Sequence, residues 1–178
     1  MPEYPRLPPQ SRGGADRPTG LTLLNDAPAD AAEATLLACC GSLRWARRVA
    51  AHRPYPDLAS LLAAADEAAY DLAPADLCAA LAAEAAATAP LPPRGGLAAL
   101  TALRAAHAAY EARFGHVFVM ALDGVHPDEL LDHLLAGIRA RLLHEPDEER
   151  ATAADQLRRV TRGRLTRLVA GAHAPSRT

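Results

Sequence analysis

Three side chains of this 178-residue chain stand where they could hold charge or move a proton: Arg164, Glu84 and His107. At 3.6 residues per turn each helical position advances about 100°. With Arg158 at zero, Leu157, Val160, Leu165, Leu168 and Val169 fall in a sector from roughly 200° to roughly 20°, the apolar stripe of a C-terminal helix. Arg158, Arg159 and Arg162 fall outside that sector, and Arg164 falls inside it at about 240°. A guanidinium on a buried face is costly unless paired, so Arg164 needs a protein carboxylate or a bound anion, or must snorkel from the edge of the stripe. Glu84 lies near the end of an alanine-rich helix. A carboxyl group there donates a proton if burial raises its pKa, and the expectation for a helix end of this kind is a solvated carboxylate. His107 sits three residues before Tyr110 on an apolar stripe, where the first reading is a hydrogen-bonded core histidine and the second a general acid.

The other reactive residue types form no constellation. Cys39, Cys40 and Cys78 have no zinc-ligand spacing, and an odd count is a poor disulfide framework, so reduced, partly buried thiols are expected. Ser42 follows Gly41 directly, as a helix N-cap does, and no His/Asp arrangement ties it to nucleophilic catalysis. His116 and His133 have no partner at diagnostic spacing, and no metal site is expected.

The elements that must position these groups read as helices. After a proline-rich stretch over residues 1–19, expected to be a disordered tail, Leu21, Leu23 and Leu24 dock the chain. Helices are then predicted over about 29–40, ended by Gly41, and 43–51, broken by Arg53-Pro54-Tyr55-Pro56. Asp57 caps a helix carrying Leu58, Leu61, Leu62 and Ala65, and Pro74 opens another carrying Leu77, Leu81 and Ala85. Residues 88–96, rich in proline and glycine, form a loop. Leu97, Leu100, Leu103, His107, Tyr110 and Phe114 then draw one stripe down a helix that Gly115 stops. Val117 to Met120 are too few for another helix and read as a buried extended segment closed by Asp123-Gly124. Pro127 begins a helix with Leu130, Leu131, Leu134, Leu135 and Ile138 inside, and Asp147 caps the last one. The expectation is an all-α domain over residues 20–171, a single compact bundle of about seven helices with one short extended segment, and a second disordered tail over 172–178.

Half of the residues are apolar, enough for one core, but only 4% are aromatic, so close helix packing with leucine knobs must build it. All 19 basic residues are arginine, balanced by 21 acidic ones to a net charge of −2. With few aromatic stacking platforms, this argues against a nucleic-acid partner. No run approaches the roughly 18 apolar residues of a membrane span, and there is no apolar signal core, so a cytoplasmic protein without a membrane partner is expected.

Three segments together resemble the 2-oxo-4-hydroxy-4-carboxy-5-ureidoimidazoline (OHCU) decarboxylases of urate degradation. The first is Leu24-Asn25, then Cys40-Gly41-Ser42-Leu43-Arg44-Trp45-Ala46 and the Arg53-Pro54-Tyr55-Pro56 break. The second is Tyr110-Glu111-Ala112-Arg113-Phe114-Gly115-His116-Val117-Phe118. The third is Arg139-Ala140-Arg141-Leu142, then Glu148-Glu149 and Arg164-Leu165. The resemblance implies a cofactor-independent, all-helical enzyme, often a homodimer, that takes a small anionic substrate, releases CO2 from OHCU and protonates one face to leave (S)-allantoin. It also implies that Arg164 grips the substrate, with Phe114 and Gly115 as further substrate-binding positions.

The chain departs from the family pattern at the proton-handling positions. Glu84 or a neighbour stands where the family's His-Pro histidine belongs, and the chain's own His126-Pro127 lies in a different element. The family's Glu-Gln segment is replaced by the loop over 88–96. Glu84 and His107 are therefore the two candidates for catalytic proton transfer.

Overall fold

Three of the helices start at a side chain that caps them. The computed structural model describes residues 19–87 and 96–171, which fold into α1 (Gly20–Asp26), α2 (Ala29–Cys40), α3 (Leu43–Ala51), α4 (Leu58–Tyr70), α5 (Pro74–Ala87), α6 (Gly96–Phe114), α7 (Leu130–Arg141) and α8 (Pro146–Gly171). Thr19 Oγ1 accepts from the Thr22 amide at 3.2 Å, Ser42 Oγ from Trp45 at 3.3 Å and Asp57 Oδ1 from Ser60 at 2.7 Å. Each oxygen takes up one of the amide donors that a helix start leaves free. Gly41 ends α2 at φ +22°, on the positive side that glycine tolerates best.

The all-α expectation holds, with four differences. Leu21 to Leu24 belong to an eighth helix, α1, because Thr19 supplies a cap. The helix expected from Pro127 begins at Leu130, since the chain first makes a turn in which the Glu129 amide donates to the His126 carbonyl at 2.9 Å. Asp147 lies inside the first turn of α8 rather than before it and pairs with Arg150 at 2.6 Å. The segment after Gly115 leaves the helix without regular structure and buries Phe118 and Val119, and no strand forms among the described residues. Leu97, expected on the buried stripe of α6, is 78% exposed, so that stripe packs only from Leu103 onward. The tails over 1–18 and 172–178 and the loop over 88–95 lie outside the described residues.

The 26-residue α8 is the spine of the larger core, packing against α1, α2 and α4, while α3 bridges α2 and α4. Leu36, Trp45, Val49, Leu61, Leu81 and Leu165 are sealed there, and the one polar atom of Trp45 is satisfied by the Ala65 carbonyl at 2.9 Å. A second cluster of Leu103, Tyr110, Phe118, Leu134 and Ile138 joins α6 to α7.

Two polar clamps fix the frame. Arg53 Nη1 donates to the carbonyls of Leu24 at 2.6 Å and Ala27 at 2.8 Å, placing a cation at the negative end of α1. Asn25 bonds both the amide and the carbonyl of Tyr55, at 2.9 and 2.8 Å. The second clamp is buried among α6, α7 and α8. Arg141 Nε donates to Glu149 at 2.9 Å, Nη1 to the Val119 carbonyl at 2.6 Å and Nη2 to the Tyr110 hydroxyl at 3.0 Å. The Tyr110 hydroxyl itself bonds Glu149, and His144 Nδ1 meets that carboxylate at 2.8 Å. Glu149 is wholly buried, which penalises its charge. Its hydrogen bonds from Arg141 and Tyr110 outweigh that penalty and hold the carboxyl below the usual range. Burial and the bond to Glu149 push the Tyr110 hydroxyl up.

Candidate active site

Arg164 projects from α8 into the corner where α2 ends and α5 passes. That corner is tight: a Cβ on Gly41 would stand 2.3 Å from the Ala83 Cβ, so only a residue without one lets the α2–α3 turn approach α5 this closely. Arg164 Nη1 donates to Glu84 Oε1 at 2.6 Å and Nη2 to Oε2 at 2.7 Å, the parallel two-bond fork that a guanidinium makes with a carboxylate. Nη1 also reaches the Cys39 carbonyl at 3.1 Å, one of the carbonyls left unpaired at the end of α2. Thr161 Oγ1 donates to the same carbonyl at 3.4 Å. The hydrogen bond to Glu84 raises the pKa of Arg164 against the opposing effect of burial. Its side chain keeps 25% of its surface exposed, and that of Glu84 10%.

The two thiols at this corner are inert. Burial pushes Cys39 up, and Cys40 up to about 11, so both stay protonated near neutral pH. A thiol is an acceptable neighbour for the ion pair because it adds no competing charge.

Of the three residues singled out for chemistry, two meet. Arg164 is on the inward side of α8 and its partner is a protein carboxylate. Glu84, expected to be solvated, is instead buried at 8% exposure, where the Gly41 turn approaches Ala80 and Ala83 and Arg164 reaches across from α8. His107 lies elsewhere. It is half-buried on α6 with its ring edge-on to Phe118 at 5.9 Å, and burial lowers its pKa, partly offset by Glu111. Phe114 packs on Tyr110 at 4.9 Å beneath the guanidinium of Arg113, and the exposed Gly115 ends α6 at φ +74° with its amide donating to Glu111. His107 and Phe114 thus lie beside Phe118 and Tyr110, whereas Arg164 draws its partners from α2 and α5.

Two contributors escaped the sequence reading. The Cys39 carbonyl is a backbone group with no sequence signature. Thr161 does leave a trace, since it precedes Arg164 by three residues and so shares its face of α8.

The OHCU decarboxylase family model matches residues 25–90 and 83–166, taking in both Glu84 and Arg164. The chain belongs to the OHCU decarboxylase family. No curated protein sequence matches it. Among solved structures, an (S)-allantoin synthase superposes with a TM-score of 0.63 at 18% identity, covering 84% of this chain and 54% of that one. The chain therefore spans about half the length of that protein. An OHCU decarboxylase crystallised in the presence of (S)-allantoin superposes with a TM-score of 0.62 at 19% identity, covering 81% of this chain and 99% of the other. At such identities the likeness is one of fold.

The positions that carry the OHCU decarboxylase resemblance do structural work in this chain. Ser42 caps α3, Trp45 fills the core, Arg53 and Asn25 clamp α1, and Tyr110, Arg141 and Glu149 form the buried clamp. Arg164 is the exception, because its fork faces a partly open corner and holds a carboxylate.

No described helix is long and apolar enough to cross a membrane. No group of three or more His, Cys, Asp or Glu among the described residues is placed to hold a metal ion.

Proposed function

We propose that the chain is a cofactor-independent decarboxylase that converts OHCU to (S)-allantoin and CO2, acting in the cytoplasm on a small anionic substrate. The observation that supports this is the Arg164 fork, a partly exposed guanidinium already arranged to bind two oxygens side by side. In the reaction the bond from the ring carbon to the carboxyl group breaks and CO2 leaves. The electron pair stays behind and spreads over the adjacent imine and carbonyl. A guanidinium set against the carbonyl oxygen holds the charge that appears there, and a site screened from water strengthens that attraction. The ring carbon then forms a C–H bond with a proton delivered to one face, which fixes the stereochemistry. Phe114, which packs on Tyr110, and Gly115 are the further substrate-binding positions that the family resemblance implies. A homodimer is the family expectation, and sedimentation of the full chain tests it.

The function is tested by CO2 release from freshly generated OHCU, which should exceed the spontaneous rate in proportion to protein. The closed Glu84–Arg164 pair favours a second reading, a family member that binds a small anion without turning it over. No release above background at high protein concentration would select it.

A further inference from the structure

On the reading that Arg164 grips the substrate, we propose that Thr161 is the residue that positions it. The Thr161 hydroxyl ties the end of α2 to α8, and the Cys39 carbonyl that it holds is the fixed post against which the Arg164 guanidinium is set.

Thr161 uses its hydroxyl unlike other threonines on these helices. A threonine inside a helix commonly turns its hydroxyl back on the carbonyl four residues earlier. Thr35 does so with Ala31 at 2.9 Å, Thr101 with Leu97 at 2.8 Å, Thr152 with Glu148 at 3.0 Å and Thr166 with Arg162 at 2.9 Å. Thr161, buried at 3% exposure, instead reaches out of α8 to the Cys39 carbonyl, 122 residues away in the chain, at 3.4 Å. Arg164, three residues further along α8, donates from Nη1 to the same oxygen at 3.1 Å. A carbonyl oxygen can accept two bonds, and here both come from one face of one helix.

That carbonyl is a rigid post. Cys39 and Cys40 are both buried, and the Gly41 turn that follows is wedged against Ala80 and Ala83 of α5. A guanidinium sits at the end of a long, flexible side chain, and it meets two oxygens side by side only while its plane faces them. The bond to Cys39 restrains that plane through a backbone atom, which has no rotamer to change. The Thr161 bond is the longer of the two. Its part is to hold α2 and α8 together at this point, so that the carbonyl stays within reach of Nη1. A cation already in place stabilises charge that appears during reaction without having to reorganise, so the benefit falls on the chemical step.

The test uses the full chain with isotope-labelled arginine, the Arg164 resonances being those that vanish in Arg164→Gln. In the wild type the two Nη nitrogens of Arg164 should give separate signals in slow exchange. Thr161→Val keeps the side-chain shape and removes the hydroxyl, and should speed that exchange about fivefold, the worth of one modest hydrogen bond. Thr161→Ala should do the same, which guards against one variant that fails to fold, and Thr161→Ser should restore the wild-type rate. With OHCU, the Val and Ala variants should lose about fivefold in kcat while KM stays within about twofold. A residue serving the fold alone would lower the unfolding temperature and leave the exchange and the kcat of the folded protein unchanged. Averaged Nη signals in the wild type, unchanged exchange in the Val and Ala variants, a Ser variant that behaves like Val, or faster exchange with kcat unchanged would overturn the proposal. Faster exchange in the variants of a protein that releases no CO2 from OHCU would remove the decarboxylase function and leave Thr161 as the residue that positions Arg164. CO2 release with unchanged exchange would do the reverse.

Discussion

Glu84 and Arg164, 80 residues apart in the chain, close a two-bond ion pair at 2.6 and 2.7 Å across the corner of α2, α5 and α8. A carboxylate thus occupies the cation through which the family resemblance implies substrate is held. The pair makes the site both a structural joint and a binding site, and its two roles are separable by experiment.

As a joint, the pair should be asymmetric under mutation. Arg164→Gln removes the two-bond fork from a largely buried carboxylate and should destabilise the fold by about 1–3 kcal/mol, below the cost of breaking a fully buried pair because Arg164 is a quarter exposed. Adding Glu84→Gln should recover most of that loss, and urea unfolding of the single and double variants measures it. A double variant less stable than Arg164→Gln alone would mean that Glu84 is held by something other than this arginine.

The buried clamp should be the more costly to break. Arg141→Met or Glu149→Gln removes one partner from a network in which the carboxylate is fully buried, and about 3–5 kcal/mol should be lost. Tyr110→Phe, which removes a hydroxyl and keeps the ring, should cost about 1–2 kcal/mol. Guanidinium unfolding midpoints give these values, and equal losses for Arg141→Met and Tyr110→Phe would contradict the assigned hierarchy.

Stability should fall with acid in two stages. Burial lowers the folded pKa of His107, so the unfolded chain binds more protons between that value and 6.5. Its contribution is complete above 6.5 and is lost as the pH falls from there towards the folded value. Glu149 is also lowered, from 4.5. Its contribution is complete above 4.5 and disappears as the pH falls through its lower folded value. Unfolding free energies measured from pH 7 down to pH 3 should show both losses, and His107→Phe should abolish the first alone.

Gly41→Ala tests the corner itself. An added methyl group would stand 2.3 Å from the Ala83 Cβ and 3.1 Å from the Ala80 carbonyl, on a backbone at positive φ. Overpacking and the backbone penalty together should cost about 2–4 kcal/mol. Thermal unfolding measures this, and a shift of only a degree or two would mean that the α2–α3 turn approaches α5 less closely.

The helical frame is legible in the sequence because its signals are local. Gly41 beside Ser42, Asp57, Pro74 and Gly115 each act within a turn, and the stripe of α8 places Arg164 on an inward face. Helix α1 is hidden because seven residues carry too little periodicity to register, and Thr19 alone marks its start. The burial of Glu84 is hidden for a different reason. Whether a helix end is solvated depends on what packs over it, and that is decided by α2 and α8, far away in sequence. The departure at Glu84 is visible from the family motif, but its meeting with Arg164 is not, since no local pattern links residues on α5 and α8.

The most direct measurement of the central claim is the handedness of the product. Circular dichroism of allantoin formed from freshly generated OHCU should show an excess of the (S) enantiomer with wild-type protein, and a racemate matching the spontaneous reaction with folded Arg164→Gln. A racemate from the wild type at high protein concentration, or an undiminished (S) excess from Arg164→Gln, would contradict the account.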